Sequence, residues 1–237
     1  MNPLLHGDPR PTLDDGASIP PLEPGDRLTR DEFERRYHAM PHLKKAELIE
    51  GIVYMPSPVR AYRHGTPHSH LITWLGVYRA STPGVESADN TTARLDMDNE
   101  PQPDAMLFIE PERGGTVRVS PDDYIEGAPE FVAEVSSSSV SFDLHTKMNV
   151  YRRCGIKEYL VWRVLDRAID WFILTAGAYE PLAPDADGLL KSRTFPGLWL
   201  DPQALLTGDL ARVLAVVGTG LASSEHGKFA ESLRAVT

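Results

Sequence analysis

Two acidic residues of this chain stand in short apolar runs. Asp104 opens the run 104–109, and Glu134 lies within the run 131–136. Both runs have the composition of buried β-strands. A carboxylate in such a strand is costly to desolvate unless it meets a cation, a proton or several hydrogen-bond donors. A bound divalent metal ion is the simplest single explanation for both positions.

A lysine follows these carboxylates on a helix predicted over residues 143–153. Hydrolysis of a phosphodiester needs a positioned water and compensation for charge on the phosphoryl oxygens, and divalent metals provide both. Magnesium favours oxygen ligands and retains several waters. Asp104, Glu134 and the main-chain carbonyl of Val135 are therefore a sufficient ligand set for Mg²⁺ or Mn²⁺. The ammonium of Lys147 would orient the water and stabilise negative charge, so the ordered set indicates phosphodiester hydrolysis.

Each of these residues also has a purely structural interpretation. Asp104 could cap a turn after Pro103, and Glu134 could form a salt bridge within the sheet. Lys147 could pair with Asp143 at i,i+4 on an exposed helix, which is common and weakly stabilising. The sequence pattern alone leaves these alternatives open.

Three histidines, His64, His68 and His70, carry side chains that zinc could bind. We expect no zinc site, because Pro67 interrupts any helix that would align His64 with His68. Residues two apart diverge on a helix, which separates His68 from His70. His68 is expected at the start of a helix near the site.

Composition and length limit the classes of protein that the chain can represent. Its 237 residues fit one core domain, and its formal net charge of −10 argues against a broad basic surface for nucleic acid. Bound cations and a local basic patch can offset that charge. The single cysteine, Cys154, excludes an intrachain disulfide. We expect a cytoplasmic protein, because the N-terminus lacks secretion-signal features and no segment has the apolar length of a membrane helix.

The chain divides into three predicted parts. Residues 1–26 are rich in proline and are expected to form a flexible arm, residues 27–217 a single domain, and residues 218–237 a frayed helix or disordered tail. Within the domain, the residues from Thr29 to Glu32 have the form of a capping box. Further helices are predicted from Pro67 and from Asp201.

The residues around the predicted site resemble the PD-(D/E)XK nuclease superfamily, and within it the Uma-type family of bacterial restriction-endonuclease-like proteins. Pro103-Asp104 is similar to the first motif. Glu134-Val-Ser136 is similar to the second, although Ser136 replaces the lysine of the wider superfamily. In the Uma-type pattern a lysine on the following helix takes over. The residues at the spacings of that pattern are Asp143, Lys147, Tyr151, Gly155, Ile156, Glu158 and Tyr159.

The resemblance covers residues 27–207 and extends upstream of the site. Glu47-Leu-Ile-Glu50-Gly51 resembles a family block, and Ser57-Pro58 with His68 resembles the segment that follows it. The resemblance implies an α/β fold, a restriction-endonuclease-like mixed β-sheet flanked by α-helices in a single domain. It also implies Glu47 as an additional acidic ligand of the metal or of water.

We therefore expect a Mg²⁺- or Mn²⁺-dependent endonuclease that acts on DNA. A homodimer would suit the cleavage of two strands. Two alternatives remain: an interaction module that keeps the fold without turnover, which the acidic composition favours, and a hydrolase of small phosphoesters, which needs no basic groove.

Overall fold

A computed structural model of the protein describes residues 19–55 and 60–235. In chain order the α-helices are α1 (Arg30–His38), α2 (Thr66–Ser81), α3 (Met148–Cys154), α4 (Pro202–Thr207), α5 (Leu210–Leu221) and α6 (Ser224–Ala235). Two π-helices, Ala61–Gly65 and Phe142–Lys147, lead directly into α2 and α3. The strands are β1 (Glu47–Ile49), β2 (Ile52–Tyr54), β3 (Val85–Asp89), β4 (Ala93–Arg94), β5 (Ala105–Ile109), β6 (Arg118–Val119), β7 (Ile125–Glu126), β8 (Phe131–Ser136), β9 (Glu158–Arg163), β10 (Ala168–Thr175), β11 (Ala178–Pro181), β12 (Leu190–Lys191) and β13 (Trp199–Leu200).

The centre of the fold is a six-stranded mixed sheet in the order β11-β10-β9-β8-β5-β3. Its β8 and β9 pair in parallel, because the chain crosses between them through the second π-helix and α3. The other neighbouring pairs in this sheet are antiparallel. The prediction of a mixed sheet flanked by helices is confirmed.

The strands of the sheet bury alternate residues on its two faces, as the pleat requires. Leu107 and Ala133 face the core that contains Trp74 of α2. Met106 and Val132 face the opposite core. On that second face α3 packs with its buried residues Val150 and Tyr151. Side chains two residues apart in a strand lie on the same face. Asp104 and Glu134 therefore lie on the face of Met106 and Val132, which α3 covers.

Glu158, a residue of the family pattern, has a structural role at the start of β9. Its side chain is fully buried and accepts hydrogen bonds from four donors. The donors and distances are Trp171 Nε1 at 2.9 Å, Ser192 Oγ at 2.9 Å, Arg193 N at 2.8 Å and Thr194 N at 2.7 Å. This one carboxylate fixes the loop before Phe195 against the sheet, and its burial raises the pKa of the carboxyl even with those donors present.

The N-terminal part of the fold bears on two predictions. Residues 1–18 of the predicted arm lie outside the described residues, and within residues 19–26 Leu22 is buried while most of the others are exposed. Leu22 is buried in a cluster with Phe33, and the Gly25 amide donates to the Val53 carbonyl at 2.9 Å. The capping box is also absent, because Thr29 makes no side-chain cap and the Glu32 carboxylate binds arginines of α1 instead. Ser57 and Pro58 lie outside the described residues.

The segment from residue 218, predicted as a frayed helix or a disordered tail, is helical and packed in its described part, up to residue 235. The helix α5 continues to Leu221, and α6 buries Ala230 and Leu233 against the rest of the domain. Glycine in a helix interior is unfavourable, which motivates the prediction of a frayed end. Here Gly220 lets α5 approach the loop at Gly197 closely. A Cβ on Gly220 would lie 2.2 Å from the Gly197 carbonyl oxygen.

A pair of glycine substitutions tests this packing. Gly220→Ala should lower the free energy of unfolding by about 1–3 kcal/mol, because the added methyl group collides with backbone. Gly218→Ala in the same helix has no neighbour within 4 Å and should be neutral or stabilising by about 0.5–1 kcal/mol. Urea denaturation of both variants measures the difference. Equal stability of the two proteins would contradict the close contact.

Candidate active site

The carboxylates of Asp104 and Glu134 converge because their strands are neighbours. In the antiparallel pair β5–β8, Ala105 lies opposite Ala133. One residue further along this register brings Asp104 opposite Glu134, on one face of the sheet. Both residues line a cleft of about 1130 Å³ together with Glu47 from β1. The predicted carboxylates therefore occupy one site.

Asp104 is held as an anion by donors on three sides. Its Oδ2 accepts hydrogen bonds from the Val135 amide at 2.8 Å and from His64 Nε2 at 3.1 Å. The ammonium of Lys45 lies 3.6 Å from its Oδ1. Burial alone would raise the pKa of this carboxyl, but His64, Lys45 and the Val135 amide hold the pKa well below its usual range.

Two histidines from one helical segment contact the same aspartate. His68 Nε2 donates to the main-chain carbonyl of Asp104 at 2.8 Å, and it lies 2.9 Å from Asp89 Oδ1. The rings of His64 and His68 are 5.6 Å apart. Because a carboxylate and a carbonyl only accept hydrogen bonds, each ring presents an Nε2–H here. These histidines position Asp104.

The prediction that Pro67 interrupts the helix between these histidines is wrong. The π-helix Ala61–Gly65 continues directly into α2. Pro67 lies in the first turn of α2, where a missing amide is tolerated. Even so, no group of three or more potential His, Cys, Asp or Glu metal ligands occurs in the part of the chain that the structure describes.

Glu134 and Glu47 are joined by a buried ammonium. Lys147 Nζ lies 2.9 Å from Glu134 Oε1 and 2.8 Å from Glu47 Oε1. Tyr151 adds a hydrogen bond from its hydroxyl to Glu134 Oε1 at 2.8 Å, and the main-chain amide of Gln102 donates to Glu47 Oε1 at 2.7 Å. All three charged side chains of the cluster are almost completely buried.

This cluster shifts the ionisation of its members. Burial raises the pKa of the Glu134 carboxyl above its usual range, and the charge of Lys147 opposes that rise. Burial also works against the charge on Lys147, but the carboxylates of Glu134 and Glu47 raise its pKa well above the ordinary value. Lys147 is therefore a permanent cation between two carboxylates.

Lys147 does not form the exposed i,i+4 pair with Asp143. Asp143 instead accepts short hydrogen bonds from the hydroxyls of Ser136 and Ser139, the latter at 2.6 Å. Ser136, which replaces the superfamily's lysine, thus fixes the first turn of the π-helix Phe142–Lys147. That anchoring directs Lys147 inward toward Glu134.

The donor set agrees in kind with a hard divalent cation. Asp104, Glu134 and Glu47 offer carboxylate oxygens, and two carboxylates with retained waters suffice for Mg²⁺ or Mn²⁺. Val135 contacts Asp104 through its amide, which leaves its carbonyl as the atom for a metal. These residues fit a divalent metal by the chemistry of their oxygens and by their shared cleft, although the three carboxylates are not gathered into one compact ligand group in this arrangement of the described residues.

A group of cations surrounds the mouth of the cleft. Lys44, Lys45, Arg60 and Arg63 line it. Among the described residues, Lys44, Arg60 and Arg63 have no carboxylate within ion-pair distance, whereas most other arginines of the protein are paired. A local positive rim therefore exists on a chain whose net charge is −10.

Lys45 and His64 give weak signals in the sequence. Lys45 is notable only for standing two residues before Glu47. His64 lies forty residues from Asp104, and only the tertiary fold brings the two together. Tyr151, in contrast, belongs to the family pattern.

The chain matches the model of a described protein family, and its fold resembles those of solved structures. The profile of the Uma2 family, described as "Putative restriction endonuclease", matches residues 30–203. A protein from Anabaena variabilis, described as "a putative nuclease belonging to DUF820", has a TM-score of 0.53 at 14% identity, over 80% of this chain and 99% of that one. This likeness shows the fold alone. No curated protein matches the chain.

Among the helices of the described residues, none has the apolar length that a membrane span requires.

The buried ammonium provides a stability test. Lys147→Met should lower the free energy of unfolding by about 3 kcal/mol or more at pH 8, because Glu47 and Glu134 lose their counterion. The loss should shrink as the pH falls toward 5, since burial raises the pKa of the Glu134 carboxyl, which becomes neutral in that range once its counterion is removed. Lys228→Met, on the exposed face of α6, should change stability by less than about 0.5 kcal/mol. Denaturation across this pH range measures both effects, and a pH-independent loss would contradict the ion-pair explanation.

Proposed function

We propose, from the premise that the chain belongs to the Uma2 family of restriction-endonuclease-like proteins, that it is a nuclease that hydrolyses DNA with Mg²⁺ or Mn²⁺. The observation that carries the proposal is the convergence of two buried carboxylates, Asp104 and Glu134, on one cleft. Structural ion pairs hold both carboxylates, Glu134 with Lys147 and Asp104 with Lys45. Ion pairing alone does not require that the two line the same cleft.

Asp104 and Glu134 would hold the cation, with the Val135 carbonyl and Glu47 as further oxygen donors. When bound, the metal would supply an activated water and charge compensation for the phosphoryl oxygens. The protein's own part is to keep the ligands charged and fixed. His64 and the Val135 amide orient Asp104, and Tyr151 orients Glu134.

The cations that line the cleft favour a polyanion as the substrate. Lys44, Arg60 and Arg63 are exposed cations without a carboxylate partner among the described residues, so they are available for phosphates. A small phosphoester needs no such rim, whereas a DNA backbone presents phosphates along its length. We therefore favour DNA over a small phosphoester as the substrate.

Two predictions made from the sequence concern contacts with substrate and with a second copy of the chain, and they stay predictions. One is that Lys147 contacts the attacking water or the phosphate. The other is that the protein forms a homodimer whose two sites cut both strands.

Cleavage of plasmid DNA tests the proposal. With Mn²⁺ or Mg²⁺ the parent protein should nick or linearise DNA, and Asp104→Asn and Glu134→Gln should reduce the rate by at least about a hundredfold, because each removes a charged metal ligand. Glu180→Gln on the exposed strand β11 is the control and should cleave at the parent rate.

Metal binding supplies an independent measurement. Mn²⁺ at a hundredfold excess over its dissociation constant should stabilise the parent by about 2.7 kcal/mol. Glu134→Gln should lose most of that stabilisation, and Glu180→Gln should keep it. A parent protein that no divalent metal stabilises and that cleaves no DNA would refute the proposal. Metal-independent DNA binding without cleavage would instead support the interaction module.

A further inference from the structure

The site contains two lysines with opposite environments. Lys147 is buried to about 4% exposure of its side chain, and its ammonium already binds Glu47 and Glu134. The Phe142 ring covers it at 5.8 Å. To reach a phosphate, this ammonium would have to leave two carboxylates unpaired inside the protein, which is strongly unfavourable.

Lys45 lies on the open side of the same site. Its side chain is 23% exposed and lines the cleft. Its Nζ is 3.6 Å from Asp104 Oδ1 and 3.5 Å from the side-chain oxygen of Asn90. Asn90 has a left-handed backbone, with φ of +47°, and its amide donates to the Asp104 carbonyl at 3.4 Å. The fold thus holds Lys45 beside Asp104 at the cleft.

The two oxygens of Asp104 differ in what they can still bind. Oδ2 already accepts from the Val135 amide and from His64. Oδ1 is the oxygen that faces Lys45. A phosphodiester that enters the cleft at this oxygen therefore meets the ammonium of Lys45, with Lys147 behind Glu47 and Glu134.

We propose that Lys45 supplies the ammonium that contacts the scissile phosphodiester, and that Lys147 is the structural counterion of Glu47 and Glu134. The inference rests on the proposed nuclease function. In the hydrolysis, water adds to phosphorus and one P–O ester bond breaks, which gives a phosphate monoester and an alcohol. The leaving oxygen gains a proton that derives from the water. Lys45 keeps its own protons throughout and neutralises charge on a non-bridging oxygen.

Adjacent lysines provide a matched pair of variants. Lys44 lines the same cleft but has no contact with Asp104 among the described residues. Under single-turnover conditions with saturating DNA, Lys45→Met should slow cleavage by about a hundredfold or more. Lys44→Met should weaken DNA binding and reduce its salt dependence. Lys228→Met, exposed on α6 and outside the cleft, is the control that should keep the parent rate.

Metal titration gives a readout that does not depend on turnover. Lys45→Met removes a cation that lies 3.6 Å from Asp104, so it should tighten Mn²⁺ binding several-fold in calorimetry. Lys44→Met should leave Mn²⁺ affinity unchanged. Unchanged Mn²⁺ affinity in Lys45→Met would contradict the placement of its ammonium beside the metal-binding oxygen of Asp104.

The outcomes separate the two levels of the hypothesis. A parent that cleaves DNA while Lys45→Met cleaves at the same rate overturns the assignment of Lys45 and leaves the nuclease function intact. A parent that cleaves no DNA with Mn²⁺ or Mg²⁺ overturns both. Circular dichroism melts serve as the folding control. Both methionine variants should melt near the parent temperature, because both lysines are at least partly exposed.

Discussion

The ammonium of Lys147 between Glu47 and Glu134 is the interaction on which the site depends. It joins three separate elements: β1, β8 and the π-helix that precedes α3. Isolated charges in an apolar interior are prohibitively costly, and paired charges repay that cost only when their geometry is good and their other hydrogen bonds are made. The Tyr151 hydroxyl and the main-chain amide of Gln102 supply these further hydrogen bonds to Glu134 and Glu47. The protein can therefore keep carboxylates buried beside an open cleft without a metal to neutralise them.

Two π-helices contribute residues to the site. One carries His64, and the other ends at Lys147. Such turns are uncommon and occur frequently at functional sites, because the wider turn shifts the side chains that follow relative to an α-helix. The first accommodates the start of α2 at Pro67 and aims His64 at Asp104. The second begins where Ser136 and Ser139 hold Asp143.

The sequence is sufficient for the two strands beside the acidic pair and for the helix of Lys147, because a charged residue in an apolar run is conspicuous. The family resemblance adds Glu47. The sequence is insufficient where a role depends on contacts between distant segments. Lys45 and His64 belong to this group, since nothing local distinguishes them from other exposed cations and histidines. The packing of the C-terminal helices is also not evident from the sequence, because the close approach of Gly220 to Gly197 is a property of tertiary structure.

The family pattern contains residues with structural roles as well as residues of the cleft, and the buried Glu158 is of the structural kind. Its carboxylate binds Trp171 and the loop at Ser192, far from any role in the cleft. Part of the pattern therefore records how the chain folds, and another part records what the cleft can do. A related chain that had lost Asp104 would still display the folding part intact. The presence of Glu158 in a sequence therefore carries information about the fold and none about the cleft.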